Sequence, residues 1–353
     1  MYQINEFPSQ GELETIAILK KTAMAHRALA EFKGICHSIP NQSILISTLA
    51  VQEAKDGSEV ENIITTHDEL FGSIVSPETM SIAAKEVQHY LEALIKGFDL
   101  VKENGILTCN HIITIQEVLE HNKAGFRRQI GTALINERTG ETVYTPPQNH
   151  DEIVALMGQL ERFINNSDDN IDPLIKMAVI HHRFESIHPF YDGNGRTGRI
   201  INVLYLVLSQ LLDIPVLYLS RYIVRNKDKY YQLLQEVRNT SNWENWILYM
   251  LDGIEQTSKD STNTVELIKK SMAKYKYIIR NEFPAIYSQD LINHLFKHPY
   301  TKIEFMEKEL NKTRPTITKY LELLTERKLL RKIKKWKTNY YINIELFDIL
   351  SNV

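Results

Sequence analysis

Between His188 and Arg199 the chain reads HPFYDGNGRTGR, which places an imidazole, a carboxylate, closely spaced glycines and two arginines within twelve residues. Without a Cβ, Gly193 and Gly195 let backbone N–H groups approach an anion closely, while Arg196 and Arg199 supply guanidinium partners for phosphate. Asp192 would repel phosphate unless a cation stood between them, so it reads as a ligand for Mg²⁺ shared with phosphate oxygens and water. The segment reads as a nucleotide site with His188 available to accept a proton.

The flanking residues supply the frame. Asp172 to Ile187 carries apolar residues at Leu174, Met177, Ala178, Ile180 and Phe184 in helical spacing, and Pro189 stops that helix at His188. Arg199 to Leu212 is apolar almost all round, as a fully buried helix is, with its first turn beginning near Gly195. The unpaired N–H groups and positive dipole end of that turn then face the anion. His181 and His182 are adjacent on the first helix, which favours packing over a shared metal site with His188.

The twelve residues resemble the Fic-domain signature H-x-F-x-(D/E)-G-N-G-R-x-x-R at every specified position. Asn41 to Phe71 resembles the N-terminal part of Fic proteins that carry their own inhibitory helix. Gly125 to Gly131 with Val143 to Pro147 is similar to the hairpin before the Fic core, and Tyr218 to Leu234 to the helix closing the nucleotide pocket. The resemblance implies transfer of AMP from ATP to a Tyr, Ser or Thr hydroxyl of a protein, with pyrophosphate leaving. It implies His188 as general base, with an ordinary pKa of about 6.5, and Asp192 on Mg²⁺. Asn194 would fix the α-phosphate, Gly193 and Gly195 its oxygens, Arg196 the β-phosphate and Arg199 the γ-phosphate. Thr197 and Gly198 complete the nucleotide-binding run.

The helix expected over about 51–70 carries Glu61-Asn62, which fits the end of the inhibitory pattern (S/T)-x-x-x-E-(G/N). Gly57 stands where Ser or Thr is usual; glycine inside a helix costs about 1 kcal/mol relative to alanine, so a looser inhibitory helix is expected. A bidentate Glu61–Arg199 bond would deny that arginine to the γ-phosphate. Some Fic proteins use the same glutamate to help remove AMP. Thr139-Gly140 marks a turn between two short strands whose edge pairs with an extended target segment. Asn226 and Tyr230, four apart on one helix, are expected to line the adenine pocket.

Length and a formal charge of −3 over 353 residues suit two or three globular domains and point to no acidic partner. Two cysteines, Cys36 and Cys109, make no disulfide framework, and the N-terminus lacks the order of a secretion signal, so the expected location is cytoplasmic. The apolar run Ile200 to Leu219 is broken by Asn202, Asp213 and Pro215 and reads as core rather than membrane.

From Thr301 to Tyr340 there are 12 Lys/Arg against 5 Asp/Glu. The pattern there is helix, turn, helix with Thr313 as N-cap and Ile317, Leu321 and Leu324 buried, then two strands over LRKIKK and NYYINIEL. It resembles a winged helix-turn-helix, whose Lys312, Arg314, Thr316 and Lys319 would face DNA, or which would serve docking or dimerisation. The expected fold is therefore mainly α: a helical N-terminal region over 1–110, a Fic core with a small hairpin over 111–255, a helical linker over 256–297 and a winged helix over 298–353. Ser258 to Thr264 is the most linker-like stretch. The expected partners are ATP and a target protein, which could be a second copy of this chain. The competing functional class is a DNA-binding regulator with a nucleotide-sensing core, and transfer of another phosphate-linked group keeps the same motif.

Overall fold

The computed structural model describes residue 4 and residues 7–75, 80–135, 140–335 and 338–352. The chain opens with α1 (Gln10–Leu13), α2 (Ile16–Cys36) and α3 (Ser43–Leu45), which runs through a π-helical turn over Ile46–Ala50 into α4 (Val51–Val60). Next come α5 (His67–Val75), α6 (Ile82–Asn104) and α7 (Cys109–Glu120), then a hairpin of β1 (Leu134–Ile135) and β2 (Thr142–Tyr144). The core continues through α8 (His150–Asn165), α9 (Pro173–Ile187), α10 (Asn194–Leu208), α11 (Ser220–Arg225) and α12 (Lys227–Thr240). A long α13 (Glu244–Glu282) leads to α14 (Gln289–Lys297), β3 (Tyr300–Thr301), α15 (Ile303–Leu310), α16 (Arg314–Glu326), β4 (Leu330–Lys335), β5 (Thr338–Asn343) and α17 (Ile344–Ser351).

The two central helices start and stop where local chemistry dictates. Asp172 caps α9 by accepting from Leu174 N at 2.9 Å, with Pro173 at the first helical position where its missing N–H costs nothing. The helix ends with His188 in the left-handed region at φ 49° before Pro189. Gly193, at φ 75°, turns the chain into α10. Every residue of α9 from Leu174 to Ile187 is buried, and α10 packs on it where Gly198 leaves room for Glu185 and Phe184. Around this pair, α6 and α7 pack on one side and α8 on another, while α2 runs along α13.

The expected single helix over 51–70 is two helices. Asn62 takes the left-handed conformation at φ 61°, its N–H bonding Glu59 O at 2.9 Å while Ile63 N bonds Ser58 O at 3.1 Å, a helix stop that leaves Glu61 at the C-terminus of α4. Val51, Ala54 and Val60 are buried as expected, but Ile64 lies beyond the stop and is exposed. Ser258 to Thr264 is likewise not a linker: it is mid-α13. Ser261, Thr262 and Thr264 donate to carbonyls one turn back at 2.6, 2.9 and 3.0 Å, which lets these polar residues sit buried within the helix.

In the C-terminal module β3, β5 and β4 form an antiparallel sheet in that order, and Ile317, Leu321 and Leu324 of α16 are fully buried. Thr313 flanks α16 as N-cap without a side-chain bond to the helix backbone. NYYINIEL divides: the strand ends at Asn343, whose side chain accepts from Leu346 N at 3.1 Å and starts α17. Arg314 is paired with Glu304 at 2.9 Å, so this face offers fewer free cations than its composition implies. The module packs on the segment carrying Glu61: Gln52 donates to Leu350 O at 3.1 Å, Tyr300 bonds Asp68, and the Phe71 and Tyr300 rings stack at 6.4 Å.

The expected turn at Thr139-Gly140 begins outside the described residues, while Gly140 has φ 73°. The flanking strands pair antiparallel, Leu134 with Tyr144 and Ile135 with Thr142. Cys36 and Cys109 are free thiols. Among the described residues no helix is long and apolar enough to cross a membrane.

Candidate active site

The loop from His188 to Gly193 and the first two turns of α10 carry His188, Asp192, Arg196 and Arg199, and hydrogen bonds to the main chain fix the loop. Arg127, fully buried, donates from Nε to His188 O at 2.8 Å, and its own N–H bonds Pro189 O at 2.8 Å. Its Nη2 bonds Pro147 O, so one arginine joins the hairpin region to the loop. Asn194 spends both ends of its amide on Phe190, accepting from the N–H at 2.8 Å and donating to the carbonyl at 2.9 Å. It is 3% exposed. Its visible role is to shape the loop rather than to face a ligand. The Gly193 N–H is taken by Asp192 Oδ1 at 2.7 Å, and Asp192 itself is exposed. Thr197 and Gly198 are buried in the seam between α9 and α10.

Carboxylates occupy both arginines. Glu61 Oε1 accepts from Arg199 Nη2 at 2.7 Å, and the same Nη2 donates to Gly57 O at 2.8 Å. The contact is monodentate rather than the bidentate one expected, with Nη2 shared between Glu61 and the Gly57 carbonyl. Glu61 also lies over Gly195: a Cβ there would overlap Glu61 Oε1, so the carboxylate rests against the N-terminal turn of α10, where the dipole favours negative charge. Burial alone would raise the Glu61 carboxyl, but the Arg199 guanidinium beside it holds it below the ordinary range. Arg196 is held by Glu86 Oε2 at 2.5 Å and Glu120 Oε1 at 2.8 Å, and a Cβ on Gly193 would overlap Glu120. Burial, with Asp192 and Glu86 adding negative charge nearby, raises the Glu120 carboxyl against the pull of Arg196.

His188 does not keep its ordinary pKa. Burial, followed by the charges of Arg127 and Arg238, lowers it to about 4, so the imidazole is neutral at physiological pH but a weaker base than a free one. Its left-handed backbone is the strained conformation that accumulates at functional loops. His181 and His182 are fully buried packing residues: His181 Nε2 pairs with Tyr230 OH at 2.8 Å and His182 Nε2 with Leu234 O at 3.1 Å. This leaves Tyr230 unfit for stacking on adenine. Its ring is 2% exposed, among His181, Trp246 and Tyr249, and its hydroxyl is taken. Asn226 sits between α11 and α12, half-buried, donating to Tyr222 O at 2.9 Å.

Gly57 has a reason that the sequence did not reveal. A Cβ there would stand 2.7 Å from Tyr90 Cε2, so glycine permits α6 to approach α4, and the helix is tightly packed instead of loose. Tyr90 OH donates to Oε1 of buried Glu53 at 2.9 Å, and Oε2 of the same carboxyl accepts from Ser220 N at 3.0 Å. Asp56 binds Arg221 Nε at 3.0 Å, so α4 is bound to α6 and α11 by a buried polar seam. Glu86, Glu120, Arg127 and Glu185 were missed in the sequence because they lie on separate elements or beside an unremarkable helix end. Only Glu185 carried a signal, as the one carboxylate of α9, three residues before His188. Burial raises it to about 7 despite Arg199 nearby.

Residues 19–99 match the model for the Fic/DOC family N-terminal region, 106–206 the Fic/DOC family model, and 272–346 the model described as protein adenylyltransferase SoFic-like, C-terminal domain. The chain belongs to the Fic/DOC family. This Fic chain is 27% identical over 187 residues to the proteins named protein adenylyltransferase Fic of Drosophila melanogaster and Drosophila yakuba, covering 50% of this chain and 35% of each relative. It thus spans about a third of the length of these curated relatives. Among solved structures, a Fic family protein from Desulfovibrio desulfuricans G20 superposes with TM-score 0.60 at 17% identity, covering 94% of this chain and 96% of that one. Fic-1 from C. elegans gives TM-score 0.52 at 18% identity, with 70% and 73% covered. Both establish the Fic fold.

Proposed function

We propose that this chain transfers AMP from ATP to a hydroxyl group of a protein and that Glu61 restrains the reaction by occupying the terminal phosphate's place. The observation that carries the reading is the Glu61 carboxylate bound to Arg199 over Gly195, where an anion seat built from glycine, guanidinium and helix terminus holds the chain's own anion. Adenylyltransferase-named relatives and the match to the SoFic-like domain support the class of reaction.

In this reading the neutral imidazole of His188 accepts the proton as the target oxygen attacks the α-phosphorus; the new O–P bond forms as the bond to pyrophosphate breaks. Arg196 and Arg199, released by Glu120 with Glu86 and by Glu61, take the β- and γ-phosphates. The Gly195 amide faces the anion, and Asn194 keeps the loop in shape. Asp192, exposed and ionisable beside the phosphate seat, fits a Mg²⁺ ligand, and the ion when bound supplies charge neutralisation for the polyphosphate. The hairpin, with Ile135 and Val143 exposed, offers an edge for an extended target segment. Removal of AMP by the same site, with Glu61 assisting, belongs to this proposal, as does a winged-helix identity for the C-terminal module.

The test is intact-mass spectrometry of the chain and of a cell lysate after incubation with ATP and Mg²⁺, comparing parent, Glu61→Gly and the Glu61→Gly, His188→Ala double variant. A mass gain equal to AMP in Glu61→Gly that His188→Ala suppresses supports it. ATP binding without turnover in Glu61→Gly would instead favour the nucleotide-sensing regulator.

A further inference from the structure

The C-terminal module holds a second cluster with metal-ligand chemistry. His294 and His298, four apart across the end of α14, face Glu309 of α15, and one ligand atom from each lies within 4.8 Å of the others. His294 Nδ1 is 2.7 Å from Glu309 Oε2, and His298 Nε2 is 3.0 Å from Glu309 Oε1. The other ring nitrogen of His294 pairs with Thr301 Oγ1 at 2.6 Å, the outer-shell hydrogen bond that orients a metal-binding imidazole. His294 is 2% exposed, while His298 and Glu309 are more open, so the cluster has a fixed inner wall and an entrance.

We infer that His294 Nδ1, His298 Nε2 and Glu309 form a site for one divalent transition metal ion of the Zn²⁺ type, with water in the fourth position. Two imidazoles and a carboxylate select zinc, cobalt or nickel over magnesium and calcium, which demand oxygen ligands. Donors about 2.0–2.2 Å from a tetrahedral ion stand roughly 3.4 Å apart, so the Glu309 carboxylate must draw back slightly from hydrogen-bonding distance to the two imidazoles to admit the ion. Lys297 Nζ is now 3.0 Å from Glu309 Oε1; it is one-third exposed and can turn into solvent as the ion takes over its role. The ion would join α14 and α15, with Thr301 tying the site to β3. Nothing in this inference depends on the AMP-transfer reading.

The test uses the full chain, stripped with a chelator and titrated with Co²⁺ by visible absorption and with Zn²⁺ by calorimetry, in the absence of ATP. The expected result is one ion per chain with tetrahedral Co²⁺ bands, retained by Asp192→Ala. His298→Gln and Glu309→Gln should each weaken binding by at least about tenfold, and Thr301→Val by about 10- to 100-fold, with circular dichroism confirming that each variant is folded. Absence of tetrahedral bands in the parent, or unchanged affinity in folded His298→Gln, would overturn the assignment.

Discussion

Replacing Glu61 with glycine removes the carboxylate from Arg199 while leaving the arginine its bond to Gly57 O at 2.8 Å, so the guanidinium stays oriented toward the vacated seat. The broken contact is a single charge-assisted hydrogen bond of 2.7 Å between a buried arginine and a carboxylate whose side chain is 37% exposed. Hydrogen bonds to charged groups contribute about 1.5–3 kcal/mol, and the exposure of Glu61 favours the lower end. At 1.36 kcal/mol per factor of ten, ATP no longer displacing Glu61 should raise AMP transfer by about 10- to 100-fold. Transfer of label from α-labelled ATP, measured below saturating nucleotide, reads this directly. Glu61→Gln, which keeps the shape but not the charge, should fall between parent and Glu61→Gly, since neutral hydrogen bonds are roughly half as strong. Label transfer by Glu61→Gly at the parent rate would refute the reasoning, because nothing would then be gained by emptying that place.

Gly57→Ala should lower the melting temperature and raise basal transfer, since overpacking against Tyr90 costs about 1–3 kcal/mol while helix propensity returns only about 1. Gln52→Ala would leave His67 Nε2 and the Leu350 carbonyl without their Gln52 partner, at about 1–3 kcal/mol for each buried group left unsatisfied, while Arg221 keeps Asp56; it should reduce thermal stability and raise label transfer if the C-terminal module steadies α4. Imidazole NMR of His188 should show a midpoint near pH 4 rather than at the ordinary value of about 6.5. The sign for stability follows: the depressed folded-state pKa of His188 stabilises the chain fully above about pH 6.5 and that contribution is lost as pH falls toward 4, a trend that melting curves across this range would show. A His188 midpoint near 6.5 would contradict the burial argument.

The His188-to-Arg199 loop was legible because its chemistry is contiguous: every group needed to turn α9 into α10 and seat an anion lies within one turn and one helix start. The buried faces of α9, α10 and α16 were legible from periodicity for the same local reason. What escaped was cooperation between distant segments. Gly57 looked like a weak helix residue until Tyr90, on another helix, explained it, and Glu120 carried no mark of its contact with Arg196. Ser258 to Thr264 read as linker from composition, because backbone carbonyls one turn back satisfy hydroxyls in a way that composition does not express. Tyr230 had the right spacing from Asn226 for a ligand contact, but tertiary packing committed its ring to the aromatic core.

The central claim is that Glu61 and the terminal phosphate compete for one guanidinium at the start of α10. The most direct measurement is a crystal structure of Glu61→Gly with Mg²⁺ and a non-hydrolysable ATP analogue. The account predicts the γ-phosphate against Arg199 and Gly195, with the α-phosphate beside His188. An analogue bound with its terminal phosphate away from Arg199, or with its α-phosphate out of reach of His188, would contradict it.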